Sequence, residues 1–214
     1  MPVILFMEDH KAETISRVID AIKAFRTEYE GDDLTFSLAS GPVGVMAATA
    51  EAVADSQDPM LVYVLGAVFL LCLLSFRSLR ATLSVVIPLY VVSVLAQALM
   101  TFLEIGLTVS TLPVIALGVG IGVDYGIYIL STMVVHIRAG DTIQAAYLAA
   151  LKERGSAVLF TGITLAIGVS TWVFSSLKFQ MDMGILLTFM FIVNMLGAII
   201  VLPAIAKLLW WNKK

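Results

Sequence analysis

Five long stretches of this chain carry almost no charged side chain, and they limit the possible folds more than any other feature. A helix needs roughly 17–25 mostly apolar residues to cross a bilayer, and each stretch is about that long or longer. Lipid offers the backbone no hydrogen bonds, so only helices or closed barrels cross it, and runs this continuous are not barrel strands. The sequence therefore predicts five spanning helices, at about 60–77, 81–103, 107–135, 155–177 and 183–207.

Composition and charge divide the chain into two parts. Of its 214 residues, 60% are hydrophobic and 14% are charged, whereas soluble proteins average about a half and a quarter. Residues 1–58 hold 11 acidic and 4 basic side chains, while residues 59–214 hold 5 acidic and 9 basic ones. We therefore predict a water-exposed segment over 1–58 and a transmembrane bundle over 59–212.

The segment 1–58 has the pattern of a small mixed domain. Apolar residues at 3–7 and an alternating pattern at 34–38 predict two strands, and helices are predicted between them and at about 45–56. The predicted fold class is mainly α, a five-helix membrane bundle preceded by a small α+β segment of order β-α-β-α. A segment this short buries little core, so we expect it to complete a larger domain whose other strands precede residue 1.

Basic residues predict the orientation of the bundle, because cytoplasmic loops carry an excess of Lys and Arg. Eight of the nine basic residues in 59–214 fall on one side of the predicted spans: Arg77, Arg80, Arg138, Lys152, Arg154, Lys207, Lys213 and Lys214. This side is predicted to be cytoplasmic. Residues 1–58 are then outside the membrane, and the C-terminus is inside.

Asp124 is a carboxylate near the middle of the third predicted span. An ionised aspartate at the centre of a bilayer costs roughly 3 kcal/mol, so we expect it to face the protein interior or a water cavity. Desolvation favours its neutral form, which suits a group that loads and releases a proton. Tyr125 follows it, and a phenol can donate to or accept from such a group.

Four glycines surround this aspartate, namely Gly118, Gly120, Gly122 and Gly126. The spacing of four from Gly118 to Gly122 to Gly126 predicts a groove into which a neighbouring helix packs closely. Glycine also forms helices poorly, so we expect this span to bend or to admit water.

Three polar residues of the last two spans are candidate partners of Asp124 in a proton relay. Thr161 and Thr164 share a face of the fourth span, and Asn194 lies near the middle of the fifth. Two alternatives stay open: the threonine hydroxyls bond their own helix backbone, or Asn194 makes a purely structural bond between helices. His136, at the cytoplasmic end of the Asp124 span, is a secondary candidate for supplying protons.

Motifs of enzymes and of cofactor sites are not found in the sequence. It has no metal-ligand cluster, no phosphate-binding loop and no nucleophile motif, and the glycine-rich run at 118–122 lies inside a span. We therefore predict no enzymatic activity, no cofactor, no metal site and no nucleic-acid partner.

The stretch LPVIALGVGIGVDYGIYIL resembles the aspartate-bearing helix of the RND superfamily, and most closely its branch of exporters with the MMPL domain. That branch carries a Gly-xxx-Asp-Tyr motif, which is formed here by Gly120, Asp124 and Tyr125. The resemblance covers most of the chain. It implies the end of the second extracytoplasmic domain, followed by spans eight to twelve of a twelve-span protein built from two halves.

The resemblance also implies a function, which is export of lipidic or hydrophobic substrates driven by the proton-motive force. The location implied is the cytoplasmic membrane of a bacterium or archaeon, with Asp124 as the proton-carrying group. The implied partners are membrane lipids and an N-terminal half of the transporter, in the same or a separate chain. Homo-oligomers also occur in the family. The substrate itself is not predicted, because substrate contacts in this family lie largely in the other parts.

Two alternative functions would use the same kind of helix bundle. A sterol- or lipid-sensing module would bind a lipid between helices and regulate a partner, and the sequence separates it only weakly from an exporter. A SecD/SecF-like protein-export subunit would carry Ala-Asn after the aspartate, which DYGIYILSTMVVHIRAG does not match. A structural segment without activity of its own is a third interpretation of the isolated polypeptide.

Overall fold

The structure is a computed structural model that describes residues 12–29, 42–106 and 108–210. Within these ranges every regular element is helical. The predicted strands at 3–7 and 34–38 lie outside the described residues. The mainly α class is therefore confirmed, whereas the β-α-β-α order is not supported by the part of the chain that is described.

Helix α1, Ala12–Tyr29, lies where the spacing of apolar residues predicts a helix. It is followed by α2, Pro42–Phe76, a single helix that runs through the predicted domain boundary. Pro59 lies inside α2 on an exposed surface, so water can bind the carbonyl that loses its N–H partner. The change of charge near residue 58 therefore marks a change of surroundings within one helix.

Over the residues that the structure describes, five helical segments are long and apolar enough to cross a membrane, which confirms the predicted number. The first three are formed by α2, α3 (Leu79–Phe102) and α4 (Leu112–Arg138). The other two are each interrupted by a π-helical turn.

The fourth segment is Ile143–Phe174 and the fifth is Lys178–Trp210. The fourth consists of α5 (Ile143–Ala150), a π turn at Leu151–Gly155, α6 (Ser156–Ser170) and a 3₁₀ turn at Thr171–Phe174. The fifth consists of α7 (Lys178–Leu196), a π turn at Gly197–Val201 and α8 (Leu202–Trp210). π turns are rare in proteins, and those that occur are often found at functional sites.

Helix α4 is the centre of the bundle, since it packs against α2, α3, α5 and α7. One buried cluster surrounds Tyr125, Ile129 and Met133 in its second half, and another surrounds Ile115 near its start. Helix α6 lies at the periphery and packs mainly on α7. The described bundle therefore leaves parts of α4 and most of α6 uncovered.

Helix α5 packs against α4 and also contacts the last helical segment. Ala146 and Ala150 are fully buried in its contact with α4. The hydroxyl of Tyr147 donates a hydrogen bond of 2.9 Å to the carbonyl of Ile199, which belongs to the π turn of the last segment. The fourth and fifth segments are thus joined at a point where the last helix is irregular.

Candidate functional site

Asp124 lies on the face of α4 that the bundle leaves open. Leu117 and Tyr128 lie on the same side, with 51% and 54% of their surfaces exposed. A Cβ added at Gly120 would meet no atom within 4 Å. No described residue forms a hydrogen bond or an ion pair with the Asp124 carboxylate. Among the described residues, the aspartate therefore faces neither a packed interior nor an enclosed cavity.

The spacing along α4 explains this placement. Asp124 is two residues from both Gly122 and Gly126, and two residues correspond to about 200° around a helix. Because Gly122 and Gly126 are buried against other helices, the aspartate points to the opposite side. The glycine groove and the carboxylate are therefore separate faces of one helix.

Tyr125 points into the bundle and not toward the open face. Only 2% of its surface is exposed, and it packs in the cluster that includes Val85, Ile129 and Met133. Its hydroxyl oxygen is enclosed and has no hydrogen-bond partner among the described residues. A buried polar group without a partner costs about 1–3 kcal/mol, so this phenol is a costly feature of an otherwise apolar contact.

We expect Tyr125→Phe to stabilise the bundle by about 1 kcal/mol, because the variant removes an unpaired hydroxyl and keeps the ring. The measurement is thermal unfolding of the purified protein in detergent micelles, with wild type as the reference. A clear loss of stability would contradict this, since it would mean that the hydroxyl has a hydrogen-bond partner in the purified protein. A fall in proton flux without a loss of stability would place the hydroxyl in the relay.

Three of the four glycines lie on the packed face of α4. A Cβ at Gly118 would clash with Met190, and one at Gly122 would lie 2.5 Å from the side-chain Cγ of Asn194. At Gly126, it would lie 3.0 Å from a methyl carbon of Val85. The absence of side chains at these glycines lets α7 and α3 approach α4 closely, which is the arrangement that the spacing of four predicts. Gly120 does not belong to this contact.

Asn194 joins α7 to α4 and does not reach Asp124. Its side chain is 4% exposed, and its amide nitrogen donates a hydrogen bond of 2.9 Å to the carbonyl of Gly118. The bond crosses the close contact between α4 and α7. This geometry corresponds to the alternative in which Asn194 makes a purely structural bond between helices.

Thr161 and Thr164 lie on the exposed surface of α6, and no hydrogen bond joins either of them to Asp124. Their hydroxyls also form no hydrogen bond to the described backbone. Ser170 and Thr171 differ, since they donate to the carbonyls of Ile167 and Gly168 at 2.8 and 2.7 Å. Thr161 and Thr164 therefore resemble Asp124 in one respect, since each places an uncovered polar group on a helix face.

A cluster of side chains at the C-terminal end of α4 was not predicted from the sequence. The Nδ1 atom of His136 lies 2.9 Å from an oxygen of Asp141, and its Nε2 atom lies 3.2 Å from an oxygen of Glu153. Glu153 belongs to the π turn between α5 and α6. A cleft of about 220 Å³ opens beside the cluster, lined by Ser131, Thr132, Val135, His136, Glu153 and Arg154.

Comparison with known proteins gives one family match and relatives from two organisms. The model of the MMPL family matches residues 4–210. A protein described as "Probable transport protein MmpL12", from Mycobacterium tuberculosis strains CDC 1551 and H37Rv, is 28% identical over 185 residues. That match covers 83% of this chain and 16% of the relative.

A second relative is described as "Putative membrane protein MJ1562", from Methanocaldococcus jannaschii. It is 26% identical over 117 residues, which cover 55% of this chain and 30% of the relative. The chain thus spans less than a third of the length of each curated relative that it matches.

Proposed function

The chain belongs to the MMPL family, and from this premise we propose that it is the C-terminal part of an exporter driven by the proton-motive force. The substrates proposed are lipidic or hydrophobic. The observation that supports this most is the position of Asp124, an uncovered carboxylate in the middle of the central helix. In lipid such a group costs roughly 3 kcal/mol, so it requires water or a protein partner.

The partner that we propose for this face is the N-terminal half of the transporter, in the same or a separate chain. The uncovered strip of α4 contains Leu117, Gly120, Asp124 and Tyr128. Gly120 permits a close approach of another helix, since the space beside it is empty. A second set of helices over this strip would remove the carboxylate from lipid. Asp124 would then lie in a close contact between the two halves, where it can be protonated.

Protonation of Asp124 would then change how the two halves pack. A neutral carboxyl loses little on dehydration, whereas a carboxylate needs water or donors. One charge that crosses 100 mV supplies about 2.3 kcal/mol, which is enough to shift a two-state equilibrium about fiftyfold. The open hydroxyls of Thr161 and Thr164 are candidate sites for water along the same surface.

The proposed orientation follows the basic residues. Arg77 and Arg80 lie at the end of α2 and the start of α3, Arg138 ends α4, and Lys152 and Arg154 lie in the π turn that follows α5. All of these positions fall on one side of the spans predicted from the sequence. We propose that this side faces the cytoplasm of a bacterium or archaeon, with α1 on the outer side.

The protein as encoded by its gene, reconstituted in liposomes with an internal pH dye, tests the proposal. An imposed pH gradient should drive proton entry faster than in liposomes without protein, and a hydrophobic substrate in the bilayer should increase the rate further. Saturable binding of a lipid without any proton flux would instead identify a lipid-sensing module. Neither flux nor binding would contradict both functions.

A further inference from the structure

The open face of α4 continues from Asp124 to the cytoplasmic end of the helix. Tyr128, Ser131 and Val135 follow the aspartate at intervals of three or four residues and are exposed or half-buried. His136 comes twelve residues after Asp124, a distance of about 18 Å along a helix. Ser131 and Val135 line the same cleft as His136, so the strip that starts at Asp124 ends beside the histidine.

The second half of this strip forms one wall of the 220 Å³ cleft. The other wall is the π turn, through Glu153 and Arg154. A water molecule occupies about 30 Å³ in the liquid, so the cleft has room for several. The hydroxyls of Ser131 and Thr132 and the charged groups supply hydrogen-bonding partners. Water in this cleft would reach roughly half of the way from His136 to Asp124.

The surroundings of His136 suit a group that takes up and releases protons. Each of its two ring nitrogens lies beside a carboxylate, Asp141 or Glu153. A neutral imidazole has one donor and one acceptor, so it can donate to only one of these carboxylates. Only the protonated ring donates to both. The cluster therefore gives the histidine two defined states that differ by one proton.

The other charged groups near this cluster are few. Arg154 lines the cleft, and Arg138 and Lys152 lie on the same two elements, α4 and the π turn. Helix α5, which also packs here, contributes no charged side chain. Its one titratable group, Tyr147, donates to Ile199. The two carboxylates are the only charged groups bonded to the ring among the described residues.

We propose that His136, held by Asp141 and Glu153, is the group through which protons pass from the Asp124 face of α4 to the cytoplasm. The inference rests on the proposed function. A proton released from the Asp124 carboxyl reaches the cleft through water and binds the unprotonated ring nitrogen of His136. The other ring nitrogen then releases its proton to cytoplasmic water through the carboxylate beside it. One proton crosses, and the ring is neutral again in its other tautomer.

The test uses the reconstituted protein with its cytoplasmic face toward the liposome interior. His136→Gln should slow proton flux at least about tenfold, because glutamine, like the neutral ring, offers one donor and one acceptor but cannot take up or release a proton. The dependence of flux on internal pH between 5 and 8, where histidine titrates, should disappear. His10→Gln, which changes the chain's other histidine, is the matched control and should leave both quantities unchanged.

Imidazole rescue separates proton transfer from a purely structural role. In His136→Ala, imidazole enclosed in the liposome should restore at least part of the flux. Normal flux with an unchanged pH profile in His136→Gln, alongside loss of flux in Asp124→Asn, would overturn the inference and leave the proposed function intact. Absence of flux in the wild type would instead contradict the proposed function. If His136→Gln does not fold, proton flux and its dependence on internal pH are measured in Asp141→Asn and Glu153→Gln instead. An unchanged pH profile in these two variants would again overturn the inference.

Discussion

Asp124→Asn is expected to reduce proton flux by at least about a hundredfold, because the amide cannot bind or release a proton in the physiological range. The variant keeps the size and nearly the shape of the side chain. Since no described residue bonds the carboxylate, the thermal stability of the purified protein should change by less than about 0.5 kcal/mol. The measurement is dye-reported flux in liposomes at equal protein content, together with thermal unfolding in detergent.

The matched control for this variant is Asp182→Asn. Asp182 lies near the start of α7, a half-buried position at the end of the fifth segment opposite to α8. The chemical change is identical, but the residue lies away from the open face of α4. Flux should therefore stay near the wild-type value. Equal flux in the wild type and in Asp124→Asn would mean that the carboxylate is not in the proton path.

Gly122→Leu is expected to destabilise the bundle by about 3 kcal/mol or more. The new Cβ would lie 2.5 Å from Cγ of Asn194, so α7 must move away from α4. Overpacking typically costs about 1–3 kcal/mol, and separation of the helices also breaks the bond from Asn194 to the Gly118 carbonyl. Thermal unfolding and the yield of folded protein in detergent measure the effect.

Gly120→Leu is the control, because it makes the same change two residues away, where a Cβ meets no atom within 4 Å. It should fold with wild-type stability, since leucine is a better helix former than glycine. It should also lower proton flux, because its side chain occupies the strip proposed to receive the other half of the transporter. Similar losses of stability in both variants would contradict the described packing of α4 against α7.

The five spanning segments could be predicted from the sequence because hydropathy is a local property. A run such as 81–103 must be covered by lipid or protein wherever it lies, so its length and composition suffice. The ends of the helices are less well determined by composition. Helix α2 begins at Pro42, well before the apolar run, and continues through Pro59. Polar residues can form a helix in water, so the end of an apolar run does not mark the end of the helix.

The site was predictable only in part, since its contacts depend on which helices become neighbours. The glycine spacing identified the packed face of α4, but it could not show that Asn194 bonds the Gly118 carbonyl, 76 residues away. The described part of the chain gives Asp124 neither a packed interior nor a water cavity, because α4 directs its glycines inward. His136 and Glu153 meet only through the π turn, which no composition signal marks.

The π turn at Gly197–Val201 also has a consequence for comparing related sequences. Its bonds join residues five apart where an ordinary turn joins residues four apart, so it holds one more residue than the surrounding helix. Such a turn is the shape that a single inserted residue takes when both flanking helices are fixed. Here α7 is fixed by the hydrogen bond of Asn194, and α8 is fixed by the buried side chain of Leu202. A homologue with one residue fewer would close the turn, or rotate α8 by about 100° relative to Asn194. Alignments should therefore allow a one-residue gap within the last span, where gaps are ordinarily excluded.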